Sequence, residues 1–239
     1  MEDLITMGQK YVMNTYGRFP QVLVKGSGAY VWDSEGNKYL DFVSGLAVNS
    51  LGHCPPIVTE AVKEQVEKLI HCSNLYWIEP QIKLAKRLVE KSCCDKAFFC
   101  NSGTEANEAA IKLARKWGNG RFEIITMKKS FHGRTLGSLA ATGQEKYQKA
   151  FQPLPEGFKY VPFNDLEALE KAVTPKTCAV MLECIQGEGG VNVPEPGYLE
   201  GVQEICRKNN LLLIVDEVQT GLARTGKAFA YEHFNLSPD

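Results

Sequence analysis

The chain has 239 residues, 44% of them hydrophobic and 23% charged, with 27 basic side chains against 28 acidic ones for a formal net charge of -1. That composition excludes a disordered chain, and a near-neutral balance with scattered lysines gives no field to hold nucleic acid or an anionic membrane. The aliphatic run 211–215 is too short to cross a bilayer, and Met1, Glu2 and Asp3 lack the basic flank and apolar stretch of an export signal. A cytoplasmic setting is expected, in which the eight cysteines stay reduced. No Cys-x-x-Cys occurs and the four histidines are dispersed, so no metal site is expected.

Residues 1–50 read as an N-terminal segment with a hairpin, its runs 29–33 and 38–42 flanking the turn Ser34-Glu35-Gly36-Asn37. Residues 51–239 read as a second, larger domain. Pro55-Pro56 opens a helix with Val58, Val62, Val66 and Leu69 at helical spacing, and a second helix is predicted over 79–91. From there strands at 97–100, 123–127, 178–182 and 211–215 are interleaved with helices at 104–117, 166–173 and 198–208. Continuous apolar runs indicate strands buried on both faces, hence an α/β domain with a mostly parallel sheet and helices on both sides. Ligands bind such sheets beyond the carboxyl ends of the strands.

The residues at those ends carry chemistry. After 97–100 comes Asn101-Ser102-Gly103-Thr104-Glu105-Ala106-Asn107, where Ser102 and Glu105 fit a capping box. That pattern is a good helix start and equally an anion site, with free N–H groups, a hydroxyl and a partial positive charge. After 123–127 comes Phe131-His132-Gly133-Arg134-Thr135; Phe131 is core or stacks on a planar ring, and Arg134 is solvated or grips a carboxylate. The run 178–182 leads to Glu183 and, among glycines, Glu188. Asp216 directly follows 211–215, partly buried, and needs a cationic partner or metal. Aliphatics before Asp216-Glu217, then Gly221-Leu222-Ala223-Arg224-Thr225-Gly226-Lys227, also suggest a P-loop NTPase. Ala228 there replaces the Mg²⁺-binding hydroxyl, and the loop falls after the acidic strand instead of early in the chain.

Taken together the chain resembles, over essentially its whole length, the class III (ornithine-type) pyridoxal-phosphate-dependent aminotransferases of fold type I. The motifs are Trp32-Asp33, Gly36 and Tyr39-Leu40-Asp41-Phe42, then Ser102 to Asn107, Phe131 to Thr135 and Asp216-Glu217-Val218-Gln219-Thr220-Gly221. Ser44-Gly45-Leu46-Ala47-Val48-Asn49-Ser50-Leu51-Gly52-His53 and Ser73-Asn74-Leu75-Tyr76 most resemble the acetylornithine group. The resemblance implies pyridoxal 5'-phosphate held by Ser102, Gly103, Thr104, Phe131, Asp216, Val218 and Gln219. Gly103 and Thr104 would take the phosphate, Phe131 would stack on the ring, Asp216 (the catalytic residue) would pair with its nitrogen, and Gln219 would bond its phenolic oxygen. Arg134 would bind the substrate α-carboxylate, Glu183 and Glu188 would line the pocket, and Gly45 would leave room for an acylated amine.

The implied reaction moves an amino group between N-acetylornithine and 2-oxoglutarate in arginine biosynthesis, in a homodimer. Ornithine, succinylornithine or 4-aminobutyrate are the alternative donors, and a non-catalytic cofactor-binding module is a further alternative. Pro55 stands where the family usually carries a histidine. The family's Schiff-base lysine and small C-terminal domain match no part of this chain, so 51–239 is expected to be an incomplete large domain, inactive alone as a transaminase.

Overall fold

A computed structural model of the chain describes residues 3–239, so the reading of Met1 and Glu2 lies outside the described residues. It divides into compact units with the boundary between Tyr76 and Trp77, whereas the change of sequence pattern falls at 50/51.

In the first unit, helix α1 (Leu4–Tyr11) starts at Asp3, whose carboxylate accepts from Thr6 N at 3.2 Å. A three-stranded antiparallel sheet follows: β1 (Leu23–Ser27), β2 (Tyr30–Asp33) and β3 (Lys38–Leu40). The predicted hairpin is β2 and β3, with β3 ending at Leu40, not Phe42. β1 escaped notice because Lys25 and Gly26 interrupt its apolar run, and its register slips between Leu23 and Lys25. Asp33 closes the β2–β3 turn, accepting from Glu35 N (3.0 Å), Asn37 N (2.8 Å), Asn37 Nδ2 (3.0 Å) and Tyr39 OH (2.7 Å). These bonds, the Asn37 side chain's first, hold its carboxyl down to about 2.

The next segment, α2 (Ser44–Ala47), is a single left-handed turn, with φ of 54°, 64°, 58° and 72°. Each non-glycine residue there costs about 1–2 kcal/mol. Asp41 holds the turn's start, its Oδ1 accepting from Val43 N (2.9 Å) and Ser44 N (2.8 Å) while Oδ2 lies 2.7 Å from His53 Nε2. Helix α3 (Pro56–Lys68) has proline in its first turn, where the missing N–H is no loss. Its predicted stripe stays largely exposed, Val62 at 61%.

The second unit begins with α4 (Glu79–Lys91), whose bounds are those predicted. The strand expected at 97–100 does not form: that stretch joins no ladder, and Phe98 is 73% exposed. An apolar run becomes a strand only beside a neighbour, and among the described residues it has none. Then come α5 (Gly103–Trp117), β4 (Glu123–Met127), α6 (Leu136–Ala141), α7 (Glu145–Gln148), β5 (Phe158–Val161), α8 (Leu166–Ala172), β6 (Thr177–Leu182), α9 (Tyr198–Lys208) and β7 (Leu212–Val215). The sheet order is β5-β4-β6-β7, parallel throughout. β5 was not anticipated, since Lys159 breaks its apolar run.

Strand periodicity sends alternate side chains to opposite faces, and both faces are covered. Ile125, Met127, Val180, Leu182 and Leu213 pack with Leu169 of α8 and Leu199, Val202 and Ile205 of α9. Ile124, Ala179 and Met181 pack with Ile111 and Ala114 of α5 and Ala141 of α6. The continuous apolar runs follow from that double burial. No helix among the described residues is long and apolar enough to cross a membrane.

Candidate active site

The carboxyl ends of β4, β6 and β7 and the start of α5 converge on one cluster. Asp216, just past β7, is 7% exposed. Its Oδ2 takes Asn107 Nδ2 (2.9 Å) and His132 Nδ1 (2.7 Å), and its Oδ1 takes the Val218 N–H (3.0 Å). Asn107 Nδ2 also donates to His132 O at 2.7 Å, tying α5 to the segment after β4. His132 is 2% exposed and its Nε2 has no partner among the described residues, so the hydrogen bond its ring makes there is the one to Asp216. Sequence reasoning gave neither Asn107 nor His132 a role. The signal was present in outline: an amide one helical turn past Thr104, and a histidine inside the segment already singled out.

Phe131 is half-buried, its N–H donating to Glu183 Oε2 at 3.1 Å and its ring edge-on to Tyr147 at 5.7 Å. The end of β6 is thereby joined to the end of β4. Burial pushes the Glu183 carboxyl up to about 7, against the pull of His132 and with a further push from Asp216. From about pH 4.5 to 7 the folded state keeps a proton that the unfolded chain has released, so this group makes folding less favourable as pH rises, by about 3 kcal/mol in all. Glu183→Gln, which keeps an acceptor for Phe131 N, is expected to raise the urea midpoint clearly at pH 8 and hardly at pH 4.5. Equal shifts at both pH values would contradict the assignment.

The start of α5 faces the same cluster. Ser102 Oγ accepts from Glu105 N (3.3 Å) and donates to Glu105 Oε2 (2.8 Å), so its hydroxyl is engaged in capping. The reciprocal arm differs from the capping box expected, because Glu105 reaches the N–H of Asn101 (3.0 Å) instead of Ser102. The first intrahelical bond runs from Ala106 N to Ser102 O, which leaves the Gly103 and Thr104 N–H groups at the helix mouth. A Cβ on Gly103 would lie 2.8 Å from both Val218 methyls, so only glycine lets the helix mouth sit this close to the acid segment. Gln219 Nε2 donates to Glu188 Oε1 at 3.0 Å. Arg134 is exposed, its guanidinium 5.2 Å from the Tyr147 ring centroid.

The NTPase alternative finds no support in this geometry. Residues 221–227 form turns that open no α-helix, and Lys227 Nζ donates to Glu232 O at 2.8 Å.

A parallel α/β sheet with free N–H groups at a helix mouth, an aromatic ring and a buried acid at its strand ends has the arrangement in which such sheets take ligands carrying an anionic group. The class III aminotransferase family profile matches residues 11–239, and the chain belongs to that family. An acetylornithine aminotransferase from Caldanaerobacter subterraneus is 61% identical over 99% of this chain and 61% of its own length, and one from Methanocaldococcus jannaschii 56% identical over 100% and 61%. The ornithine aminotransferase of Toxoplasma gondii superposes with a TM-score of 0.94 at 38% identity, covering 98% of this chain and 57% of that one. The N-acetylornithine aminotransferase of Stenotrophomonas maltophilia gives 0.84 at 39%, covering 99% and 59%. The chain thus spans about three fifths of the length of the curated relatives it matches.

Class III aminotransferases depend on pyridoxal 5'-phosphate. The residues present fit that group: the uncapped N–H pair beside Gly103 suits a phosphate, and the braced Asp216 carboxylate suits a protonated ring nitrogen.

Proposed function

We propose that the complete protein carrying this chain transfers an amino group between N-acetylornithine and 2-oxoglutarate, with pyridoxal 5'-phosphate held at the strand ends. The observation that carries this reading is Asp216, a buried acid braced by Asn107 and His132 beside the mouth of α5. When bound, the cofactor supplies an electron sink for bond breaking at the amino-bearing carbon. The Gly103 and Thr104 N–H groups and the Thr104 hydroxyl take its phosphate, and Ser102 contributes through the cap. Phe131 and Val218 bear on the ring, Asp216 keeps the ring nitrogen protonated, and Gln219 donates to the phenolic oxygen. Arg134 pairs with a substrate carboxylate. Glu183 and Glu188 line the pocket, Glu188 accepting a hydrogen bond from Gln219.

The acetylated donor is supported by the names of the relatives at 50–61% identity. Specificity constants for acetylornithine, succinylornithine, ornithine and 4-aminobutyrate provide the test. Acetylornithine is expected to lead by at least about tenfold, the scale of one well-made contact; a preference for free ornithine would overturn the substrate.

The same reading places the protein in the cytoplasm as a homodimer. Eight free cysteines suit a reducing compartment. In the first unit Phe42 (90% exposed) and Leu75 (85%) offer apolar surface suited to a second copy. Light scattering of the complete protein would show twice the chain mass.

A further inference from the structure

Glu108 lies one turn after Thr104, on the same face of α5, and reaches across to α6. Its Oε1 accepts from Gly137 N (2.9 Å), Ser138 N (3.1 Å) and the Thr135 hydroxyl (2.5 Å). Both N–H groups belong to the first turn of α6, whose own N-cap, Thr135, makes no side-chain capping bond. A carboxylate from a neighbouring helix thus does what an N-cap residue does from within. The space is fully used, for a Cβ on Gly137 would lie 2.4 Å from one Glu108 oxygen.

The hydroxyls beyond Glu108 form a chain with a direction. Thr135 has one proton to donate, and the carboxylate, which can only accept, receives it. Thr135 Oγ1 is left as an acceptor for Ser138 Oγ at 2.6 Å and Thr104 Oγ1 at 2.9 Å. Ser138 Oγ also bonds Thr104 Oγ1 directly, and with the Ser138 proton shared between the Thr135 and Thr104 oxygens, Thr104 keeps its own proton to give elsewhere, while its oxygen also accepts from Thr135 N at 3.4 Å. Arg134 directly precedes Thr135, so the same contacts fix the backbone that carries the guanidinium.

We propose that Glu108 is a positioning residue for both ends of the active site. By capping α6 from α5 it docks residues 134–138 on Thr104, presents the Thr104 hydroxyl to a phosphate, and holds Arg134 where a substrate carboxylate is bound. This rests on the functional reading above.

The test uses the complete protein with Glu108→Ala, Glu108→Gln and Thr135→Val. Three quantities are measured: the Kd for pyridoxal phosphate by spectroscopic titration, KM for each substrate apart from kcat, and amide hydrogen exchange at Gly137 and Ser138. In Glu108→Ala, exchange at both amides should quicken about tenfold, and Kd and both KM values should rise about tenfold, the scale of losing one or two charge-assisted hydrogen bonds. The kcat should change less than about threefold if binding alone is affected. Glu108→Gln keeps a carbonyl acceptor and should recover the slow exchange and most of the affinity. Thr135→Val leaves the amide bonds in place and should weaken cofactor binding without changing exchange. Faster exchange with wild-type Kd and KM in Glu108→Ala would reduce Glu108 to a helix cap and overturn the proposal, as would unchanged exchange. If Glu108→Ala fails to fold, wild-type affinity in Thr135→Val overturns it. The functional reading fails elsewhere, in a wild-type titration that shows no cofactor binding.

Discussion

Asp216→Asn is expected to lower kcat/KM for amino-group transfer by the complete protein by roughly 10²–10³-fold, the usual loss when one preorganised charge is taken from a reacting centre. The substitution keeps size and shape but removes the negative charge proposed to hold the ring nitrogen protonated. It also puts an NH₂ group where two oxygens now serve three donors: Asn107 Nδ2, His132 Nδ1 and Val218 N. One of these then faces a donor, adding an instability of about 1–3 kcal/mol. Steady-state kinetics with the cofactor saturating, alongside a denaturation curve, separates the two effects. Activity within about threefold of wild type would remove Asp216 from the catalytic role.

The second large effect is on the scaffold. Leu169 on α8 is 0% exposed and belongs to the core of Leu199, Val202, Ile125 and Val180, so Leu169→Ala is expected to cost about 2–5 kcal/mol. Against a total stability of about 5–15 kcal/mol this is a large drop in the urea midpoint. Leu169→Met conserves volume and should cost less than about 1.5 kcal/mol. A loss below about 1 kcal/mol in Leu169→Ala would mean that the helix is less tightly held than its burial implies.

What the sequence made legible and what it hid follow one physical line. Helices α4 and α9 were read to the residue because Pro80 and Gly197 punctuate their starts and their amphipathic spacing is local. Strands β4 and β6 stood out as unbroken apolar runs because both faces are buried. The run 97–100 looked the same and formed no strand, since pairing depends on a neighbour that no local pattern reveals. β5 hid behind Lys159, whose amine pairs with Glu123 at 2.7 Å. The candidate site residues were legible as a set of strand ends and through family resemblance. Asn107, His132 and Glu108 were not, because each acts on a partner 25 to 109 positions away.

The sheet order has a consequence for how the chain is made. β4 lies between β5 and β6, and Ile124, Ile125, Thr126 and Met127 are all fully buried in the finished fold. Synthesis runs from one end, so β4 leaves the ribosome about 30 residues before β5 and about 50 before β6; at roughly 5–20 residues per second that is roughly 3–10 s without its second neighbour. Parallel pairing offers no tight hairpin to shorten the wait. Until β5 is made the nascent chain shows an apolar strand with two open edges, and until β6 is made one with one open edge, the form that recruits chaperones or stray strands. Translation speed across residues 128–177 therefore sets how long misfolding competes with folding, and slower codons there would lower the yield of folded protein without altering a single contact in it.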